Sequence, residues 1–344
     1  MTDSGYDFRS DNVAGAAPEV VDALAQAARG TASSYGEDAW TARLKTQLAG
    51  LFETEVAVFP VATGTAANAL ALAAMTPPYG AIYCHEDAHI NVDECGAPEL
   101  FTGGAKLVGL KGPGGKLTPA TLESALAGAG RGVVHHVQPA ALSLSQATES
   151  GTVYRPDEVA ELSDLAHRAG LAVHVDGARF ANAVVRLGCT PAELTWKAGV
   201  DALSLGGTKG GCLAAEAVVI FNPALAEDFG YLRKRGGHLL SKMRFVSAQL
   251  ESWLAGDLWL RLARHANAMA DRMAAGLAAL PGVEVAYPVE ANEVFVRLPE
   301  TAVAALETAG FRFHRWNGTL LRLVTAFDTP AWAVDAFVKT VADA

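Results

Sequence analysis

The sequence predicts an α/β fold: a large domain built on a mostly parallel sheet, followed by a small C-terminal α+β domain. Three observations carry this. Helical and strand patterns alternate from about residue 18 onward. The candidate strands are short and apolar throughout, as in LAVHVD at 171–176, DALSLG at 201–206 and EAVVIF at 216–221; strands of that kind are covered on both faces. The texture then changes near residue 239, where a long helical stretch gives way to a compact mixture of strands and helices.

In chain order, PEVVDALAQAARG (18–30) opens on proline and closes on glycine, which punctuate a helix. Over 40–52, Leu44, Leu48, Leu51 and Phe52 share one helical face. VAVF (56–59) reads as a strand, followed by Thr-Gly-Thr and the helical AANALALAAM. AIYC (81–84) and KLVGL (106–110) read as strands, and 118–130 as a helix capped by Thr118. GVVHHVQ (132–138) and ALSLS (141–145) read as strands or parts of one. In a strand, His135 and His136 face opposite sides, so that one packs and the other is free to line a site. RPDEVAELSDLAHRAG (155–170) is an amphipathic helix. The stretch from Leu239 to Leu280 reads as helical with a break at Gly256-Asp257. VEVAY, EVFVRL, a helix at 301–309, FRFHRW, LLRLVTAF and a last helix from about 330 complete the chain. The expected division is an arm at 1–14, a large domain at 15–250 and a small domain at 251–344.

Composition narrows the function. Of 344 residues, 27 are basic and 37 acidic, giving a net charge of −10, and 51% are hydrophobic. An acidic surface repels a phosphate backbone, which argues against nucleic acid as a partner. No apolar run reaches the ~18 residues of a membrane span, and the first twenty residues lack the apolar stretch of a secretory signal. Cys84, Cys95, Cys189 and Cys212 form neither a zinc knuckle nor a disulfide framework. The expectation is a reduced, cytoplasmic enzyme.

Three positions then attract attention. Asp176 ends an apolar strand, where crevices of parallel sheets hold ligands; alone it reads as a turn aspartate before Gly177, but Arg179 follows three residues on. Lys209 stands in LSLGGTKGGC, among glycines that let the backbone approach a bulky group. In an apolar pocket such a lysine becomes a nucleophilic amine; the plainer reading is a solvated loop lysine. Thr63-Gly64-Thr65 precedes a helix, whose N-terminus suits an anion, although Thr and Gly also cap ordinary helices. Together these are the parts of a pyridoxal phosphate site: a lysine for the aldehyde carbon, an aspartate for the ring nitrogen and an anion site for the phosphate. His89 adds an imidazole able to stack on a pyridine face and exchange protons. The nearby His85, Glu86, Asp87 and Glu94 read as surface groups or hydrogen-bond partners, and no metal site is expected. Arg322, charged within LLRLVTAF, is either on an exposed sheet face or a clamp for a substrate carboxylate.

These motifs resemble the low-specificity L-threonine aldolases, fold type I enzymes dependent on pyridoxal phosphate. The resemblance runs through FRSDNVAG, YGEDAW (35–40), ATGTAAN (62–68), AHINVDE (88–94), HVDGARFANA (174–183), GGTKGG (206–211) and LRLVTAF (321–327). It implies Lys209 as the Schiff-base lysine, Asp176 as the pyridinium partner, Gly64 and Thr65 as the phosphate turn, and His89 as the stacking histidine. It further implies His136 as a second active-site histidine, and Ser10, Arg179 and Arg322 as the grip on the substrate carboxylate, with Arg179 also close to the cofactor. Tyr35, counted with the substrate-binding residues, matches a tyrosine near a subunit interface, and a homodimer or homotetramer is implied, each site borrowing residues from a neighbouring chain. The implied activity is cleavage of L-3-hydroxy-2-amino acids (threonine, allo-threonine, phenylserine type) to glycine and an aldehyde through an aldimine. His89, His136 and an ordered water are the candidates for the base. The chain departs from the family at Thr208, where a serine is usual, at Gly210-Gly211-Cys212-Leu213, and at Gln146-Ala147-Thr148. The alternatives are a β-eliminating lyase or aminotransferase of the same fold, or a non-catalytic cofactor-binding protein.

Overall fold

A computed structural model describes residues 6–344, so residues 1–5 of the expected arm lie outside the described residues. Seven strands form the first sheet: β1 (Ala57–Val61), β2 (Gly80–His85), β3 (Lys106–Leu110), β4 (Gln138–Ser145), β5 (Ala172–Gly177), β6 (Ala202–Gly206) and β7 (Glu216–Ile220). Their order is β1-β7-β6-β5-β4-β2-β3. Pairing is parallel from β3 through β6, and only β7 runs against its neighbours β6 and β1. The strands β2, β6 and β7 are buried at every position, as continuous apolar runs require. This arrangement directs the carboxyl ends of β1, β2, β4, β5 and β6 to one edge, together with the amino end of β7.

Helices cover both faces. In the first part of the chain they are α1 (Pro18–Ala27), α2 (Ala39–Leu51), α3 (Gly64–Met75), α4 (His89–Val92), α5 (Ala97–Thr102) and α6 (Pro119–Ala127). They continue with α7 (Pro156–Arg168), α8 (Phe180–Leu187), α9 (Phe229–Arg235), α10 (Arg244–Leu254) and α11 (Leu258–Ala278). The α3 helix is apolar nearly all round and buries seven consecutive residues, Ala66–Leu72, as a helix enclosed on every side must. Thr118 caps α6 as expected, its side chain accepting the Thr121 N–H.

Two expectations need correction. The segment 132–137 is an exposed turn, and β4 begins only at Gln138. Gly130 and Gly132 adopt φ of 67° and 80°, which turns the chain before the apolar VVHHV can extend. The helical stretch from Leu239 is shorter than read: α10 starts at Arg244, and a tight turn with φ of 56° at Gly256 and 57° at Asp257 separates it from α11.

The second sheet is antiparallel, in the order β10-β11-β9-β8, from β8 (Glu284–Val285), β9 (Glu293–Arg297), β10 (His314–Asn317) and β11 (Leu320–Val324). The helices α12 (Glu300–Thr308) and α13 (Ala331–Ala342) pack with it. Phe8 from the N-terminal segment is fully buried in this second core, and its backbone bonds Arg312 and Val324. The α11 helix belongs to both cores: Trp259 and Ala263 sit in the first, and Ala270, Met273 and Leu277 in the second. Midway, Asn267 exchanges two hydrogen bonds with Asn182 of α8, at 2.9 and 3.0 Å.

Candidate active site

The strand ends converge on a pocket of ≈ 410 Å³ lined by Thr63, Gly64, Thr65, His89, Asp176 and Lys209, among others. A smaller cavity of ≈ 50 Å³ adjoins it and adds Asn68, Glu94, Glu149 and Arg179. Six of the positions singled out from sequence, namely Gly64, Thr65, His89, Asp176, Arg179 and Lys209, therefore meet at one edge of the sheet.

Thr63 caps α3, with Oγ1 accepting the Ala66 N–H at 3.2 Å. The N–H groups of Gly64 and Thr65 belong to the first turn, which has no carbonyls of its own helix to meet. A Cβ placed on Gly64 would meet nothing within 4 Å, so this turn opens onto the pocket. The Asp176 carboxylate accepts from Asn68 Nδ2 at 2.8 Å and from the Ala178 N–H at 3.0 Å. Asn68 also donates to Glu94 Oε1 at 2.8 Å, and that oxygen pairs with His89 Nδ1 at 2.8 Å. The hydrogen bond that His89 donates to Glu94, opposed by burial, raises the His89 pKa, and Asp176 and Glu149 add to it. Burial raises the Glu94 carboxyl in turn. Asn68 carries no mark in the sequence because it lies inside an apolar helix, whereas Glu94 is a hydrogen-bond partner, one of the two readings the acidic run allowed.

Lys209 makes no hydrogen bond or ion pair among the described residues, and its turn is fixed from all sides. Gly207 N–H donates to Glu216 Oε2 at 2.7 Å, Trp253 Nε1 donates to the Gly210 carbonyl at 2.9 Å, and the Ala17 N–H donates to the Gly211 carbonyl at 2.8 Å. The surrounding glycines serve this packing. A Cβ on Gly206 would lie 2.7 Å from the Ala178 backbone, and one on Gly210 2.8 Å from the Trp253 ring. The bulky neighbour inferred from the glycines is thus the protein itself. Burial raises the Glu216 carboxyl to about 7, against the hydrogen bond from Thr208.

Arg179 is buried and bidentate to Asp11, at 2.8 and 3.0 Å, with Glu293 3.4 Å from Nη1. Burial opposes the Asp11 charge, but Arg179 and Lys209 outweigh it and bring the carboxyl to about 2. Arg322 lines neither cavity. Its side chain is 13% exposed and bonds Glu293 Oε1 through Nε at 2.9 Å, so the exposed-face reading of Arg322 is overturned. The two arginines meet on one carboxylate, Glu293, which the sequence did not reveal.

Three further expectations fall outside the pocket. His136 is exposed, with Nδ1 3.3 Å from the Ala129 carbonyl. It precedes the amino end of β4, whose eight residues span roughly 25 Å from the edge bearing the site; it is no part of this site. Ser10 caps the turn Asp11–Val13 by accepting the Asn12 N–H at 3.1 Å, and Asn12 rather than Ser10 lines the pocket. Tyr35 is 47% exposed, with Lys234 Nζ 5.0 Å from its ring centre, and does not reach the pocket of its own chain.

The β-eliminating lyase family pattern matches residues 7–301. Two bacterial low-specificity L-threonine aldolases are similar over nearly the whole chain. One, from a Pseudomonas species, is 47% identical across 96% of this chain and 95% of its own; the other, from Pseudomonas aeruginosa, is 49% identical across 92% and 91%. The chain belongs to the low-specificity L-threonine aldolases, within the β-eliminating lyases. A solved threonine aldolase from Leishmania major superposes with a TM-score of 0.91 at 30% identity, covering 98% of both chains. Membership makes the protein a pyridoxal phosphate-dependent lyase with threonine aldolase function. The donor set fits that cofactor: an unpaired lysine, a carboxylate held by an amide and a backbone N–H, and an open helix N-terminus share one pocket.

Proposed function

We propose that this pocket cleaves L-3-hydroxy-2-amino acids of the threonine, allo-threonine and phenylserine type into glycine and an aldehyde. The observation that carries the reading is the meeting of Lys209, Asp176 and the α3 N-terminus in one pocket. When bound, pyridoxal phosphate supplies an electron sink for the carbon that loses its Cα–Cβ bond. Lys209 Nζ, free of other partners in the pocket, would hold the cofactor's aldehyde carbon. Asp176 keeps a proton on the ring nitrogen, with Asn68 fixing the carboxylate. The Gly64 and Thr65 N–H groups hold the phosphate, and His89 covers the ring. Arg179 and Arg322, which already share Glu293, grip the substrate carboxylate, and Ser10 supports them indirectly by capping the turn that carries Asp11, the partner of Arg179. A small C-terminal domain, assigned to 251–344 with the turn at Gly256-Asp257 near its start, carries Arg322 and closes the carboxylate side.

Tyr35 is assigned to a subunit boundary. Val13 and Leu213, 47% and 61% exposed, flank the pocket residues Asn12 and Ala214, which supports a homodimer or homotetramer. No helix among the described residues is long and apolar enough to cross a membrane. The proposed location is the cytoplasm, where the four free cysteines stay reduced.

The test is Lys209→Ala. The variant is expected to keep its far-UV circular dichroism, to lose the visible-edge absorbance of the lysine-bound cofactor, and to stop releasing acetaldehyde from threonine without any keto acid present. Full turnover by the variant would remove the assignment.

A further inference from the structure

Glu149 is a pocket carboxyl that the chemistry above leaves unused. It lies on the loop after β4, and that loop is pinned on both sides of it. Gln146 exchanges hydrogen bonds with the Tyr154 backbone, Nε2 donating at 2.8 Å and Oε1 accepting at 2.9 Å. The Thr148 N–H donates to the Thr152 carbonyl at 2.9 Å, and Thr148 Oγ1 donates to the Gly114 carbonyl at 3.2 Å. A loop held this way keeps Glu149 in the cavity it shares with His89, Asp176, Arg179 and Lys209. Asp11, Glu94, Glu216 and Glu293 are each engaged by a guanidinium, an amide, an imidazole or a backbone N–H. The Glu149 side chain makes no hydrogen bond or ion pair among the described residues.

We infer that Glu149 is a further catalytic residue, whose carboxylate takes the proton from the substrate's β-hydroxyl as the Cα–Cβ bond breaks. This rests on the aldolase reading. The O–H pair becomes the second bond of the aldehyde C=O. The Cα–Cβ pair stays with the glycyl carbon, drained by the cofactor, until a proton returns there. One proton leaves oxygen and one is gained at carbon, so no outside reactant is needed.

The other candidates are less suited. His136 stands in an exposed turn. His89 has Nδ1 committed to Glu94, and its raised pKa favours the ring form with no free lone pair. Burial raises the Glu149 carboxyl, Glu293 and Asp176 raise it further, and Arg179 and Lys209 oppose them. His89 also interacts with it electrostatically, and Glu94 lines the same cavity. A carboxyl moved toward the working pH is a better proton acceptor.

The experiment compares wild-type holoenzyme with Glu149→Gln and Glu149→Asp. Three quantities are read: kcat for threonine cleavage across pH, exchange of the glycine α-proton for deuterium by NMR, and cofactor affinity by titration. Glycine carries no hydroxyl, so its exchange does not call on this base. Glu149→Gln is expected to lower cleavage by about 10²–10⁴-fold, to lower glycine exchange far less, and to lose the acid limb on which wild-type activity rises as Glu149 deprotonates. Glu149→Asp should recover part of the loss. Cleavage by the Gln variant within a few-fold of wild type would overturn the assignment, as would equal losses of cleavage, exchange and cofactor binding. Failure of the wild type itself to cleave threonine would instead sink the aldolase reading, and this assignment with it.

Discussion

His174 illustrates what the interior asks of a single residue. Its ring is fully buried, with Nδ1 2.9 Å from Ser143 Oγ and Nε2 2.9 Å from Ser204 Oγ, so three neighbouring strands are tied beneath Asp176. Burial lowers its pKa to about 4, against the pull of Asp176. Between that value and the ordinary 6.5, the unfolded chain binds the proton and the folded chain does not. The stabilisation is therefore complete above pH 6.5 and is lost as pH falls toward 4, on the order of 3 kcal/mol in all. Melting temperatures of wild type and His174→Asn from pH 8 to 4 test this. The variant is expected to lose less over the window, and parallel curves would refute the account. Arg322 makes a second case. Replacing it by lysine keeps the charge but loses the planar fork, leaving Glu293 and the substrate carboxylate with a single-point partner. A loss of about 1.5–3 kcal/mol, or one to two decades in kcat/KM, should appear mainly in KM, with cofactor titration unchanged. Wild-type kinetics on threonine and phenylserine in Arg322→Lys would leave Arg179 to hold the carboxylate alone.

At the scale of elements, the site depends on how closely two strand ends approach. Gly206 closes β6, and a Cβ there would stand 2.7 Å from the Ala178 backbone just beyond Asp176. The contact is with backbone, so no side chain can swing aside. Gly206→Ala is expected to cost about 1–3 kcal/mol in a denaturant melt and to weaken cofactor binding by separating the Asp176 and Lys209 turns. An unchanged melt and titration would show that the two turns are set independently. The same geometry explains what was legible beforehand. Asp176, Lys209, Gly64 and Thr65 each sit at a strand end or helix start whose local pattern marks it, and an apolar strand run gives them a common direction. Asp11, Asn68 and Glu293 carry no local mark. Their roles arise from partners 168, 108 and 29 positions away, which only the fold brings together. His136 was misread for the opposite reason: VVHHV has the apolar content of a strand, yet the flanking glycines at 130 and 132 turn it outward.

At the scale of the whole molecule, the exposed Tyr35, Leu213 and Tyr231 mark the surface on which a second subunit is proposed to seat. Light scattering on the purified protein is expected to give two or four times the chain mass of 35.8 kDa; a mass of one chain would remove the assignment of Tyr35 to a subunit boundary. Within one chain, α11 has a different consequence. Its early turns complete the first core and its late turns the second, and Asn267 bolts its middle to α8. Neither core can melt while the other keeps this helix without stripping apolar side chains of a continuous rod into water. The two sheets, separate as architecture, are thereby a single cooperative unit in thermodynamics, and heat should dismantle them in one transition.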